Sequence, residues 1–476
     1  MLAGAARVDI TPPLPADLLG YVRRDRAARA VGRPLLVTAG VVQDEDGNRV
    51  AMLAADLVGM PPSFAWRIRS AVAEQIGTPP EAVLVNSSHT HAAPWPGASM
   101  KLGGEFDGLT DQERAYAEWL PAAFASAAVQ ASSALRPAGV AGGVGRVHGL
   151  VVNRRERTPD GRTILGWNRD GFVDEEVPTI RIDGLDGTSI ATIVGFGCHP
   201  VVVGPDVPAV DPDFVGPLRE RVETLRGGVC VFLQGAAGNV LPLEAFQDRR
   251  GPEEALGARL GLEAAHAVAD AEPRAMIVEK LDYRSVTPIS LYRRVPDAAQ
   301  PAPVVRATRR LVRLPLLEPP SADELARELA ERRSDLDARR KGGESRVTTN
   351  PVAYHVQWLE DTLAAVRERR AAGELEGEIW ALRLGDCAVV SAPGEIFSEI
   401  GAAVRSASPA AVTIFAGYSQ GVLGYVATPQ EYPHGGYEPA VSHRGYGHPA
   451  PFSPEAAGII ERTATDLLEE LFATGR

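Results

Sequence analysis

The stretch EAVLVNSSHTHAAPW, from Glu81 to Trp95, places an apolar run directly before two histidines. The run is short, rich in valine and closed by small polar residues, which is the pattern of a buried β-strand that ends in a loop. His89 and His91 follow this run and are separated by one residue. Side chains two positions apart on extended backbone point to the same side. The sequence therefore predicts an imidazole pair at the carboxyl end of a strand.

The same pattern recurs three times along the chain. The runs SIATIVGFGCHP, GVCVFLQGAAGN and DCAVVSAPGE end near His199, Asn239 and Glu395 respectively. Helical periodicity predicts helices between these runs, over 214–226, 253–270 and 396–406. Strands that alternate with helices predict an α/β fold with a mixed β-sheet core flanked by helices. Ligands in such folds bind beyond the carboxyl ends of strands, so we expect these polar side chains to meet there.

The rest of the chain is assigned to the same unit, and we treat residues 1–476 as a single catalytic domain. A helical hairpin is expected as an insertion at about 321–373, where DELARELAERRSDLDARRK and VQWLEDTLAAVRERRAAG are dense in alanine, leucine and charge. Its charges are expected to face solvent, with a lid or a dimer contact as the alternative. The proline-rich stretch 296–320 is expected to be a connector. The glycine cluster GGVGRVHG, at 142–149, is expected to form a turn.

Composition disfavours several classes of partner. The net charge is −12 and the basic residues form no stripe, which argues against a nucleic-acid partner. No run approaches the roughly 18 apolar residues of a membrane-spanning helix. The first residues, MLAGAARVDITPP, lack the charged and apolar segments of a signal peptide. The three cysteines form no C-x-x-C pair, so we expect reduced thiols and a cytoplasmic location.

The histidine pair, His199 and Glu395 are candidate metal ligands. Each has an ordinary structural explanation when taken alone, because a single histidine or a carboxylate at a helix start is common. Together they are the ligand types of a catalytic zinc site, contributed by separate strand ends. Other chemistries lack their motifs: the chain has no calcium-binding loop, no G-x-S-x-G, no P-loop and no dinucleotide-binding G-x-G-x-x-G after a strand.

An ordered set of short motifs resembles one known family. RVDITPP followed by LLGY, NSSHTHAAPW, VVNRR, GFGCHPVVVG, DPDFVG, FLQGAAGNVLP, APGEIFSEIG and GYVATPQEYPHGGYEPA occur in the order found in the catalytic N-terminal domain of neutral, non-lysosomal ceramidases. Each motif is modest, but their order is specific and spans nearly the whole chain. The resemblance identifies the chain as a divergent, ceramidase-like sequence.

The resemblance implies that a single zinc ion catalyses hydrolysis of the amide bond of an N-acyl sphingoid base. The matching zinc ligands are His89, His199, Glu395 and Tyr425. His91 would lie beside the water that zinc activates or the scissile carbonyl oxygen. Two further positions, Arg154 and Tyr437, match residues that hold and polarise the substrate. The oxyanion would be met by zinc together with His91, Arg154 or Tyr437, and His91 or a tyrosine would deliver the proton to the leaving amine.

Departures from the family pattern bear on the substrate. Leu241 stands where the ceramidases have a serine, PHGG replaces the polar spacer before Tyr437, and the family's C-terminal immunoglobulin-like domain is not expected here. We therefore expect a soluble or modestly lipophilic amide substrate, with ceramide included. The alternatives are a metal-dependent esterase or lyase acting on a small carboxylate or sugar-like substrate, and a catalytically silent binding protein. A homo-oligomer is left open.

Overall fold

The computed structural model describes residues 1–21, 27–96, 109–283, 287–297, 299 and 301–473. Strands and helices are numbered separately along the chain. The strands are β1 (Leu2–Asp9), β2 (Ala30–Val31), β3 (Leu36–Gln43), β4 (Arg49–Ala55), β5 (Val83–Ser87), β6 (Arg136–Arg146), β7 (Val151–Arg157), β8 (Thr163–Asn168), β9 (Glu176–Gly184), β10 (Ser189–Phe196), β11 (Ala209–Val210), β12 (Val229–Gln234), β13 (Val240–Pro242), β14 (Met276–Leu281), β15 (Leu291–Pro296), β16 (Val305–Pro315), β17 (Glu374–Leu384), β18 (Cys387–Ser391), β19 (Glu395–Ile396), β20 (Val412–Ala416) and β21 (Tyr425–Val426). The α-helices are α1 (Pro62–Ile76), α2 (Asp111–Ser133), α3 (Val215–Arg226), α4 (Pro252–Ala267), α5 (Ala322–Lys341), α6 (Arg346–Arg367), α7 (Ser398–Ala407), α8 (Tyr437–Ala440) and α9 (Glu455–Ala473).

Two mixed β-sheets form the centre of the fold. The larger has the strand order β12–β10–β9–β6–β1–β3–β4–β5, and the smaller has the order β16–β17–β18–β20. Most neighbours are antiparallel, but β4 and β5, β10 and β12, and β18 and β20 run parallel. The carboxyl ends of two strands within each parallel pair therefore lie at the same edge of their sheet.

The sheets pack against each other and are covered by helices on their outer faces. The inner layer joins side chains of both sheets, among them Met52, Ile193, Trp380 and Ile414. On the outer face of the larger sheet, α1 and α2 cover the β1–β3–β4 region and α3 and α4 cover β10 and β12. The smaller sheet is covered by α7 and α9. The predicted fold class, a mixed sheet core flanked by helices, is confirmed.

Two sequence-based expectations were wrong. The stretch 296–320 is not merely a connector, because Val305–Pro315 forms an eleven-residue strand paired along its whole length with β17. Four arginines obscure its alternation in the sequence, and three of them form ion pairs with neighbouring elements, as in the 2.8 Å contact between Arg313 and Glu374. The glycine cluster at 142–149 does not form only a turn, because Gly142, Gly143 and Gly145 belong to β6.

Gly143 shows why that strand is rich in glycine. A Cβ atom built at Gly143 would lie 1.8 Å from the carbonyl oxygen of Ala267, the last residue of α4. A side chain at this position is therefore excluded by the close approach of the helix end to the sheet. The glycine reports tertiary packing, which no local pattern in the sequence reveals.

The predicted helical hairpin is confirmed as α5 and α6. Its apolar side chains form their own small cluster, which includes Leu325, Leu359 and the buried Trp358. The hairpin also contacts the segment 443–448: the indole N–H of Trp358 donates to the carbonyl oxygen of His448 over 2.7 Å, and Arg444 donates to His355 over 2.8 Å. Within the described ranges, no helix is both long and apolar enough to span a membrane.

Protonation of His355 should weaken this docking. Burial, followed by the charge of Arg444, lowers the pKa of His355 from 6.5 to about 4. Between pH 6.5 and pH 4 this histidine is protonated in the unfolded chain but not in the folded protein. The free energy of unfolding should therefore fall as the pH drops from 6.5 toward 4. Replacing His355→Gln should remove a slope of up to about 1.4 kcal/mol per pH unit, measured by urea unfolding at pH 7.5 and pH 5.

The control for this prediction is His266→Gln, since the side chain of His266 is 82% exposed. This variant should lose as much stability on acidification as the parent protein. Identical pH dependence in the parent and His355→Gln would contradict the prediction.

Candidate metal centre

The ends of several strands converge at one edge of the two-sheet core. His89 and His91 follow β5, and His199 follows β10. Glu395 begins β19, which pairs in parallel with β21 so that Glu395 lies directly opposite Tyr425. The structure thus brings together all four sequence-predicted ligands together with His91. The ligand atoms of the three histidines all lie within 4.8 Å of one another, a group that is able to hold a metal ion.

Backbone carbonyls fix the protonation of two of these histidines. Nδ1 of His89 lies 2.5 Å from the carbonyl oxygen of Val58, and Nδ1 of His199 lies 2.7 Å from that of Ala237. Because a carbonyl oxygen only accepts hydrogen bonds, each Nδ1 must donate, so in the neutral imidazole each Nε2 carries a lone pair. Metal-ligating histidines are oriented by contacts of this kind.

The lone pairs face a common point. Oε2 of Glu395 lies 3.2 Å from Nε2 of His89 and 3.0 Å from Nε2 of His199. The hydroxyl oxygen of Tyr425 lies 3.3 Å from Nε2 of His199. In a tetrahedral zinc site with bonds of about 2.0–2.1 Å, neighbouring ligand atoms lie roughly 3.3 Å apart. His89, His199 and Glu395 therefore fit three ligands of a metal ion, and the hydroxyl of Tyr425 is close enough to be a further one.

The backbone at His89 is held in an uncommon conformation. Its φ of 66° lies in the left-handed region, which a non-glycine residue occupies at some cost in free energy. The backbone N–H of His89 donates to the carbonyl oxygen of Leu57 over 3.0 Å. The loop after β4 therefore holds both the backbone and, through Val58, the imidazole of His89. That loop is in turn anchored by Asp56, whose carboxylate forms a bidentate ion pair with Arg219 of α3.

His91 completes the imidazole group. Its Nε2 lies 3.2 Å from Nε2 of His89, and its half-buried ring packs edge-on against Tyr21. Burial is the largest cause that lowers the pKa of His91 well below 6.5, and His89 and His199 would lower it further when protonated. Gly20 has a φ of 104°, and a Cβ atom there would lie 2.5 Å from Cγ of His91. The glycine of the LLGY motif therefore gives this imidazole its room.

Arg154 and Tyr437, which the resemblance assigns to substrate, lie beside this group. Arg154, on β7, is buried; its Nε donates to Glu438 over 2.7 Å and its Nη1 donates to Nε2 of His199 over 3.1 Å. Its Nη2 is buried and has no hydrogen-bond partner among the described residues. Tyr437 is 40% exposed, and its ring contacts that of Tyr425 at 5.6 Å.

Local electrostatics favour a cation at the convergence point. Burial alone would raise the pKa of Glu395, but the charge that His89 carries when protonated, with hydrogen bonds from His199 and His89, lowers it well below its ordinary value. When both imidazoles are neutral, a bound cation would have to supply that positive charge. Burial raises the pKa of Tyr425 well above 10, against the opposing charge of Arg154. Tyr425 is thus a neutral phenol unless an added positive charge lies beside it, which a bound metal would supply.

Several residues of the site were missed in the sequence. Asn86 is the next-to-last residue of β5 and Gln234 the last residue of β12. Their amides join the strand ends: the amide oxygen of Asn86 accepts from the backbone N–H of Gln234, and Nε2 of Gln234 donates to the carbonyl oxygens of Ser88 and Cys198. A polar amide at the end of an apolar run, as in VLVN and VFLQ, was the signal available. Two tyrosines that contact Glu395, Tyr418 and Tyr446, carried no comparable signal.

Two other positions singled out in the sequence, Asn239 and Leu241, make contacts that stabilise the surrounding structure. Asn239, expected at the ligand edge, donates to Glu399 over 2.8 Å and accepts from the backbone N–H of Ser398 over 2.9 Å, so it joins its loop to the start of α7. Leu241, at the position of the family serine, is buried in a small apolar cluster with Val152 and Val201.

Comparisons with known proteins agree with the motif resemblance. No family model matches the chain. The neutral ceramidases of Drosophila pseudoobscura pseudoobscura and Drosophila melanogaster are 32% identical to it over 96 and 94 residues, which make up 19% of this chain and 13% of theirs. The matched segment is thus a small part of each relative.

Two solved structures cover 99% of the chain at 17% identity. The crystal structure of neutral ceramidase from Pseudomonas aeruginosa gives a TM-score of 0.68 and is matched over 74% of its length. A ceramidase complexed with C2 gives a TM-score of 0.67 over 75% of its length. The resemblance to neutral ceramidases is therefore confirmed by a short sequence match and a shared fold.

We predict one divalent metal ion per purified chain, measured by inductively coupled plasma mass spectrometry. Glu395→Gln removes the charged acceptor of the site and should lower metal affinity well beyond tenfold, while Glu469→Gln, an exposed substitution on α9, should leave it unchanged. Full metal retention in Glu395→Gln would show that this carboxylate is not a ligand.

Proposed function

We propose that this protein is a zinc-dependent hydrolase that cleaves the amide bond of an N-acyl substrate with activated water. The observation that carries the proposal is the convergence of three lone-pair acceptors, Nε2 of His89, Nε2 of His199 and Oε2 of Glu395, beside a buried arginine. A bound cation would satisfy these acceptors together, and Nη2 of the neighbouring Arg154 has no hydrogen-bond partner among the described residues.

Zinc is the metal that this donor set favours. Two imidazoles and a carboxylate are the usual protein ligands of catalytic zinc, whereas calcium and magnesium prefer oxygen ligands. A zinc ion held here would lower the pKa of a water molecule and polarise a carbonyl group. The ligands proposed from the family resemblance are His89, His199, Glu395 and Tyr425.

We propose a separate role toward the substrate for each of the remaining polar groups, Arg154, Tyr437 and His91. Arg154 keeps its charge through Glu438 and is proposed to direct its Nη2 to the carbonyl oxygen, where negative charge develops. Tyr437 is proposed to donate to the same oxygen from the exposed side. His91, neutral and 3.2 Å from His89, is proposed to take up a proton and pass it to the leaving amine.

Of the three consecutive or nearby arginines Arg154, Arg155 and Arg157, the last two are paired with protein groups, which leaves Arg154 as the guanidinium proposed to meet the substrate. Arg155 has its three guanidinium nitrogens occupied, by Glu431, by Glu438 and by the carbonyl oxygen of Gly435. Arg157 is likewise paired with Glu431 over 2.6 Å. Neither offers a free positive charge to a carboxylate or phosphate. We propose a soluble or modestly lipophilic N-acyl amide, with the lipid ceramide as one member of the class to be tested.

We also propose that the protein works in the cytoplasm. Cys198, Cys230 and Cys387 are all buried and unpaired. Free thiols are typical of proteins in reducing compartments. Fractionation of the native host would test this location.

The decisive experiment is a substrate panel assayed with metal-free and zinc-reconstituted protein. The panel contains N-acylsphingosine, short N-acyl amines and the matching esters. We expect amide turnover that is lost on chelation and restored by zinc. Turnover of the esters alone would contradict amide specificity, and absence of turnover across the panel by zinc-loaded protein would favour a lyase or a silent binding protein.

Loss of the Tyr437 hydroxyl should impair turnover and leave metal binding intact. Tyr437→Phe should lower kcat about 10²–10³-fold, the usual cost of removing one donor to a developing oxyanion. Tyr354→Phe, on the 43% exposed Tyr354 of α6, removes a hydroxyl from a residue outside the site and should keep full activity. Unchanged kcat in Tyr437→Phe would exclude this role.

A further inference from the structure

The carboxylate of Glu395 has two oxygens with different surroundings. Oε2 faces the histidines and also accepts from the hydroxyl of Tyr418 over 3.2 Å. Oε1 accepts from the hydroxyl of Tyr446, which no motif in the sequence pointed to. A carboxylate with one oxygen unheld is free to turn, and can bind a metal through one oxygen or both. The hydroxyl of Tyr446 restricts that choice.

The ring of Tyr446 is positioned by close packing. It contacts the ring of Tyr425 at 6.2 Å and is stacked on His448 at 6.3 Å. Gly424, with a φ of 113°, lies against its face, and a Cβ atom there would come within 3.2 Å of the ring. The backbone carbonyl of Gly424 accepts from the N–H of Glu395 over 2.9 Å. The phenol and the carboxylate it contacts are thus held by the same short segment.

The helical hairpin supports this segment from outside. The indole N–H of Trp358 donates to the carbonyl oxygen of His448, and Nε2 of His448 donates to the carbonyl oxygen of Leu423 over 2.6 Å. Trp358 also packs edge-on against His443 at 5.4 Å and lies under the guanidinium of Arg444 at 4.8 Å. A chain of contacts therefore runs from α6 to the metal centre.

We propose that Tyr446 is a positioning residue that holds Glu395 as a single-oxygen ligand, and that the α5–α6 hairpin keeps Tyr446 in place through Trp358 and His448. This inference rests on the proposed function, because it assigns a role toward the same metal. It gives the hairpin a purpose distinct from a lid or a dimer contact: it stabilises the outer wall of the site. The hydroxyl acts on metal geometry rather than on the substrate.

The test is metal binding by four variants of the full chain. Zinc dissociation constants are measured by competition with a fluorescent chelator, and cobalt-substituted protein is examined by visible absorption, which reports ligand geometry. Tyr446→Phe should weaken zinc binding about 10–100-fold, the usual effect of losing a group that orients a ligand, and should change the cobalt spectrum. Trp358→Phe should change both in the same direction by less. Tyr354→Phe should change neither.

Stability is followed by thermal unfolding so that packing defects are separated from positioning. Leu363→Ala removes packing from the same apolar cluster as Trp358 without removing the indole donor, and should lower stability while preserving the cobalt spectrum. Parent-like zinc affinity and cobalt spectrum in Tyr446→Phe would overturn this inference alone. Failure of the parent chain to bind zinc or cobalt would overturn both this inference and the proposed function.

Discussion

Crowding of hydrogen-bond acceptors around one point is the constraint on which the rest of the site depends. His89 and His199 each direct Nδ1 to a backbone carbonyl, and Nε2 of each lies 3.0–3.2 Å from the carboxylate of Glu395, so in their neutral forms both direct a lone pair at it. Three acceptors at these distances repel one another unless a positive charge lies between them. Burial strengthens that repulsion because water is excluded. The phenol of Tyr425 and the guanidinium of Arg154 contact the same group of acceptors through His199.

Parallel strand pairs in both sheets bring these acceptors together. The loops that carry the site follow strands of these parallel pairs, and the buried amides of Asn86 and Gln234 join β5 and β12, the two edge strands of the larger sheet. The amide of Asn86 also donates to the carbonyl oxygen of Gly417, just beyond β20. A satisfied polar network of this kind specifies a single arrangement of the loops. The geometry of the centre is therefore a property of the whole two-sheet core.

The sequence predicted the parts of this arrangement that have local signals. Apolar runs closed by turn residues predicted the strand ends, and hence the meeting of His89, His91, His199 and Glu395. The roles of Tyr425, Arg154 and Tyr437 came from the motif resemblance, because an aromatic or charged residue in a short strand has no distinctive spacing. The locations of these residues agree with that assignment, and their roles remain predictions.

Tertiary contacts explain why the sequence did not predict several residues and one strand. Tyr446 and Trp358 act through partners far away in the chain, and neither lies in a recognisable pattern. The glycines of β6 were misread because the atom that excludes a side chain at Gly143 belongs to α4. The strand β16 was misread because its arginines meet acidic partners on β17 and α9, as Arg310 meets Glu470, and so remain on a strand that looks too polar.

The two-residue ladder between β19 and β21 has a consequence for how the centre can vary among related proteins. Main-chain hydrogen bonds set Glu395 opposite Tyr425, so the spacing of the carboxylate and the phenol does not depend on the side chains packed around them. The imidazoles of His89 and His199 are positioned instead by hydrogen bonds from Nδ1 to the carbonyl oxygens of Val58 and Ala237, which lie in other loops. A change that shifts those loops would therefore move the histidines while leaving the spacing of Glu395 and Tyr425 unaltered.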